Sequence, residues 1–166
     1  MISALKNCCR IPAVLLIFTA TLMFSGRMGA QSAEEAGKIA AAALQMALQT
    51  SHDPAGQWIL SPHAEAASEV RWSGVVAGAI RSVQVDRVFR AGPAPQTEGS
   101  EAWWVIDYKT HAQPQPGPNG LAQLRPLFAA QLEAYAQVLR NLHGTDAEVR
   151  AGLYYPRMNA LDWWHV

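Results

Sequence analysis

Cysteine is nearly missing from this 166-residue chain: Cys8 and Cys9 are adjacent near the N-terminus and no other follows. Neighbouring positions suit neither an ordinary disulfide nor a zinc or iron-sulfur ligand set, so no cross-link or thiolate centre is expected in the body. An excess of either charge is missing as well, with 13 Lys and Arg against 13 Asp and Glu. Neutrality excludes an overall basic field, and any contact with nucleic acid must come from a local patch. No H-E-x-x-H helix occurs, and His52, His63, His111, His143 and His165 fall at no zinc-ligand spacing. No G-x-x-x-x-G-K-[ST] loop occurs either, which excludes P-loop binding of ATP and hence a motor within the chain. The longest apolar run, Ile11 to Phe24, has 14 residues and is too short for a comfortable membrane span.

What is present is a chain half hydrophobic, long enough for one domain with a real core. Residues 1–30 have the outline of a secretory signal, with Lys6 and Arg10 before the apolar run and small residues after it. A core helix or a start codon placed too early fits the same pattern. Export follows from the first reading and a cytoplasmic protein from the second; the folded domain is expected over 31–166.

From Ser32 the signals are plainer. Ser32 as N-cap with Glu35 three residues on predicts a helix to about Thr50 carrying Ile39, Leu44, Met46 and Leu48. "SHDPAG" breaks it, and "QWIL" reads as a short extended piece before Pro62. "EVRWSGVV" and "AIRSVQVDRVF" read as two β segments with a turn near Gly74 to Gly78, and "AWWVIDYKT" as a third, delivered by a hairpin-like loop. "HAQPQPGPNG", with three prolines and two glycines, reads as a flap. Leu124, Phe128, Leu132, Tyr135, Leu139 and Leu142 recur at helical spacing and predict a helix closed by Gly144, with Gln131 on the edge of the stripe. "EVRAGLYYP" is a further strand, and "ALDWWHV" either an edge strand or a packed tail. The expected order is αβββαβ.

In a strand, residues two apart share a face, so Asp107 and Lys109 point together. Asp86 lies in the preceding strand, and hairpin pairing would bring it beside Asp107. Two adjacent carboxylates repel unless a cation lies between them. A hard divalent ion takes oxygen ligands and keeps several waters, so Asp86, Asp107 and the Tyr108 carbonyl would suffice, with Glu69 reaching it directly or through water. Lys109 would then polarise the attacking water or offset charge developing on a phosphorane. An isolated Asp-x-Lys is weak by itself, and an internal ion pair or a solvated sheet face explains it equally well.

The ordered set "VDRVFRAG", "WWVIDYKT", "QLEAYAQVLR" and "VRAGLYYP" resembles the PD-(D/E)XK nuclease superfamily, above all the C-terminal nuclease domain of UvrD-like helicases of the RecB/AddA type, over about Arg27 to Val166. The resemblance implies a restriction-endonuclease-like α/β core, a central mixed β-sheet flanked by helices. It implies Glu69 as the upstream acid, Asp86 and Asp107 as ligands of Mg²⁺ or Mn²⁺, and Lys109 as the catalytic lysine. Gln131 and Tyr135 match a Gln-x-x-x-Tyr helix motif, with Gln131 reaching lysine, water or DNA. The Pro-Asp opening of the pattern is absent, since Asp86 follows Val85. The function implied is a metal-dependent deoxyribonuclease domain acting in double-strand-break repair, partnered by DNA and a helicase motor module or partner subunit, with no ATP and no integral membrane span. Arg71, Arg81, Arg87, Arg90 and Arg125 are candidate phosphate contacts; Trp103, Trp104 and Tyr135 would stack on bases if exposed and form core if not. A non-catalytic docking domain of a helicase-nuclease complex and an exported protein of this fold are the alternatives.

Overall fold

The computed structural model describes residues 33–110 and 120–166. The signal-like segment 1–30, Ser32 and the flap residues 111–119 lie outside them. The chain divides into two compact units, one up to Ser61 and one from Pro62 to Val166.

The first unit holds α1 (Ala33–His52) and α2 (Pro54–Leu60). The buried stripe of α1 is Ala43, Met46, Ala47 and Thr50, at helical spacing, whereas Leu44 and Leu48 are exposed. "QWIL", expected to be extended, belongs to α2. The reason is local: Asp53 caps the helix, its Oδ2 accepting from the Gly56 N–H at 2.8 Å, and Pro54 sits at the first helical position, where no N–H is needed.

The second unit is a five-stranded mixed sheet with one long helix. Its strands are β1 (Ala64–Val76), β2 (Ala79–Ala91), β3 (Ala102–Tyr108), β4 (Val149–Tyr155) and β5 (Ala160–His165), ordered β1-β2-β3-β4-β5, with α3 (Gly120–His143) between β3 and β4. β3 and β4 run parallel and the other neighbours antiparallel. This is the α/β restriction-endonuclease-like core that the sequence predicts. To the predicted order it adds α2 and settles "ALDWWHV" as an edge strand. β1 begins at Ala64, five residues before the sequence signal at Glu69.

The core lies between the sheet and α3, where Leu132, Tyr135, Ala136 and Leu139 meet Val85, Val88, Trp103, Val105, Ala151 and Leu153. Helical periodicity extends four residues upstream of the predicted start, and Pro126 is accommodated inside the helix. Leu142, counted in the stripe, is exposed. Gly74 is not in the turn: a Cβ there would lie 3.1 Å from Cγ1 of Val138, so the missing side chain lets β1 approach α3. The turn is Ala77-Gly78, with φ of 50° and 78°, the positive values that a two-residue hairpin of the I′ kind demands. Replacing Gly78 by alanine is expected to lower stability by about 1 kcal/mol; a denaturation midpoint unchanged from wild type would contradict this.

Candidate active site

β3 is buried along nearly its whole length because both faces are covered, which is why it reads as a continuous apolar run. Asp107, with 4% of its surface exposed, is the acidic group at the end of that run. Lys109 follows, its backbone N–H donating to the Tyr154 carbonyl at 2.9 Å and its Nζ lying 2.6 Å from Asp107 Oδ2. The other carboxylate oxygen is taken from above: Gln131 Nε2 of α3 donates to Asp107 Oδ1 at 3.1 Å, while Gln131 Oε1 accepts from Lys109 Nζ at 3.2 Å. Gln131 Nε2 also donates to the Tyr135 hydroxyl, and the lysine sits 4.0 Å from the centre of the Phe128 ring. Phe128, Gln131 and Tyr135 recur at steps of three and four, so one face of α3 supplies all three.

Asp86 enters from β2. The β2–β3 ladder ends at Arg87↔Ile106, and one step further Asp86 Oδ2 accepts from the Tyr108 N–H at 2.9 Å. Its pKa is raised to about 7, first by burial and then by the charge of Asp107, with Glu69 adding to the rise and the Tyr108 N–H and Lys109 opposing it. Burial likewise pushes the Asp107 carboxyl up against the pull of Lys109. Tyr135 is pushed up to about 12, by burial and then Asp107, and is a neutral hydroxyl at ordinary pH. One buried and one half-buried carboxylate thus lie beside a single lysine, an arrangement whose excess negative charge a dication would neutralise.

Two carboxylates are the kind of oxygen donor that a hard divalent ion takes, with water for the rest. Among the described residues no group of three or more His, Cys, Asp or Glu is placed to hold a metal. Glu69 therefore stands outside the set expected of it; its Oε2 accepts instead from Gln84 Nε2 at 2.7 Å. The Tyr108 phenol is buried without a hydrogen-bond partner among the described residues, and burial raises its pKa.

The residues expected to touch DNA divide. Arg87 is buried, donating from Nη1 to Ser68 Oγ at 3.2 Å and lying over Phe89, so it is a packing residue of the sheet and not an exposed phosphate contact. Arg125 donates to both oxygens of Asp162 of β5, from Nε to Oδ2 at 2.9 Å and from the terminal Nη2 to Oδ1, and lies over Trp164. Asp162 was not among the candidates; only the alternation of "ALDWWHV" hints at it. Trp103 and Trp104 are core, the latter donating from its indole to the Gly92 carbonyl at 2.9 Å. Arg71 and Arg81 are exposed on the β1–β2 hairpin, and Arg90 lies 3.5 Å from Glu65.

A mixed sheet with an Asp, a Lys two residues on and an opposing helix that presents Gln and Tyr defines an α/β nuclease-type domain. The model of the PD-(D/E)XK nuclease superfamily matches residues 20–162, and the chain belongs to that superfamily. Members of that superfamily are in general phosphodiester-hydrolysing nucleases, and they generally use divalent metals. Among curated proteins none matches. The solved structure titled "Crystal structure of SSO0001" is similar at 12% identity, covering 93% of this chain with a TM-score of 0.33. The chain spans 64% of the length of that structure. No helix of the described residues is long and apolar enough to cross a membrane.

Proposed function

We propose that this chain is a Mg²⁺- or Mn²⁺-dependent deoxyribonuclease domain, related to or part of a RecB/AddA-type helicase-nuclease and working in double-strand-break repair. The observation that supports this most is the convergence of Lys109 Nζ and Gln131 Nε2 on the two oxygens of Asp107, with Asp86 at the next peptide. Asp86 and Asp107 would hold the ion, with the Tyr108 carbonyl beside them. The bound ion supplies Lewis-acid polarisation and lowers the pKa of water for attack on phosphorus. Lys109 would orient the attacking water and offset charge on the phosphoryl oxygens. Gln131 holds the lysine amine at the reacting centre, and Tyr135 and Phe128 keep bulk water from it. DNA is the proposed substrate and a helicase motor or partner subunit the proposed source of single strands.

The test incubates the full chain with end-labelled single-stranded and duplex DNA in Mg²⁺ or in EDTA. Cleavage in Mg²⁺ alone is expected; cleavage of equal rate in EDTA would refute the reading. Gln131→Leu is expected to lower kcat about 10- to 100-fold with KM for DNA little changed, because the amide acts through Lys109 and Asp107. A rise in KM with kcat intact would assign Gln131 to DNA binding instead.

A further inference from the structure

Besides a register shift between Ala64 and Ala67, the ladder between β1 and β2 skips one step further along. Ser68 pairs with Arg87 and Val70 with Val85, while the residues between them, Glu69 and Asp86, drop out of the pairing. At that step Glu69 has a φ of 54°, in the left-handed region that favours glycine and tolerates asparagine. Side-chain alternation slips there on both strands. Residues an odd number apart in a regular strand face opposite sides, yet Ala67 and Val70 on β1, and Val85 and Val88 on β2, all pack against the one cluster under α3.

The slip decides where Asp86 points. Counted from Val83 and Val85, strict alternation sends Asp86 to the face of Ser82 and Gln84, away from α3. Counted from Val88, it falls on the α3 side, where Oδ2 meets the Tyr108 N–H at the end of β3. Irregular steps in a ladder commonly re-aim a side chain beside a reacting centre. The carboxylate of Glu69, meanwhile, is occupied by Gln84.

We propose that Glu69 is a positioning residue whose left-handed backbone, and not its carboxylate, turns Asp86 onto the face that carries Asp107. This rests on the metal-nuclease reading above and gives Glu69 no contact with ion or DNA. A residue of this kind is replaceable by any side chain that accepts positive φ, whereas a ligand is replaceable by none that lacks the carboxylate.

The test compares Glu69→Gly, Glu69→Gln and Glu69→Val in the full chain, reading Mn²⁺ affinity by calorimetry, the melting temperature in EDTA, and Mg²⁺-dependent cleavage. Glu69→Gly is expected to bind Mn²⁺ as wild type does and to melt about 2–4 °C higher, since glycine adopts this φ without strain. Glu69→Gln is expected to stay close to wild type in all three. Glu69→Val is expected to bind Mn²⁺ about 10- to 100-fold more weakly, because a β-branched residue resists the conformation and Asp86 turns away. Should the valine variant not fold, Glu69→Ala set against Glu69→Gly carries the same contrast with a single methyl group. Glycine and glutamine variants as impaired as valine would return the role to the carboxylate and overturn the proposal; a valine variant equal to wild type would overturn it too. A wild-type chain that binds no Mn²⁺ sinks the nuclease reading itself, whereas wild-type binding with no spread among the variants sinks only this inference.

Discussion

Lys109→Met is expected to lower the rate of Mg²⁺-dependent DNA cleavage by about a thousandfold or more while leaving Mn²⁺ affinity equal or higher. The split follows from where the amine lies. Its Nζ is 2.6 Å from Asp107 Oδ2, so in the metal-free site it competes with a cation for the same oxygen. Removing it relieves that competition and leaves the oxygens of Asp86 and Asp107 for the ion. The same change takes away the only ammonium among the site's contacts able to meet charge developing on phosphorus. Methionine keeps much of the stem and loses the ammonium that lies 4.0 Å from the centre of the Phe128 ring, so the change is directed at charge more than at volume. Single-turnover cleavage beside calorimetric Mn²⁺ titration reads both quantities. A cleavage rate within threefold of wild type would remove Lys109 from the chemistry.

Asp86→Asn is expected to stabilise the metal-free protein near pH 7.5 by on the order of 1 kcal/mol, and to lower cleavage by about 10²- to 10³-fold. The wild-type carboxyl has its pKa raised from 3.8 to about 7, foremost by burial and next by Asp107. In the folded state it therefore holds a proton that the unfolded chain has already lost. Its contribution to stability is complete below about pH 4 and is lost as pH climbs to about 7, because over that window the native state binds more protons. Asparagine stays neutral and can accept the same hydrogen bond from the Tyr108 N–H, so position 86 should add no pH dependence of its own and the variant should lose less stability than wild type across the same window. Protons also compete with the ion for Asp86, so Mn²⁺ affinity of the wild type should fall as pH drops below about 7. Calorimetric melting at pH 5 and pH 7.5 in EDTA checks the first statement. A wild-type protein more stable at pH 7.5 than at pH 5 by the same margin as the variant would contradict it.

Much of this site is legible in the sequence because its signals are local. Asp107 and Lys109 announce a shared face through their spacing of two, and Gln131 and Tyr135 through a spacing of four on a strongly periodic helix. β3 and β4 read as buried strands because apolar runs bounded by turn residues leave little else for them to be. Pairings set by long-range register are not legible. The clamp of Asp162 on Arg125 joins residues 37 positions apart, and no local pattern encodes it. Burial of Arg87 runs against the usual exposure of arginine and depends on Ser68 and Phe89, both fixed by the sheet. The start of β1 in "AEAASE" is hidden by low β propensity and set by its neighbour β2. "SHDPAG" looks like a breaker and "QWIL" like an extended piece because a Pro and a Gly precede it, yet an Asp cap and a proline in the first turn are what a short helix requires. The slip at Glu69 and Asp86 is the least legible feature, since a glutamate in a left-handed conformation follows from no propensity.

The account stands or falls on Asp86 and Asp107 jointly holding a divalent ion. Calorimetric titration of Mn²⁺ into wild type, Asp86→Asn and Asp107→Asn at pH 8 measures this directly. Saturable binding by the wild type, weakened about tenfold or more in each variant, is the predicted result. Equal Mn²⁺ affinity in all three proteins would contradict it.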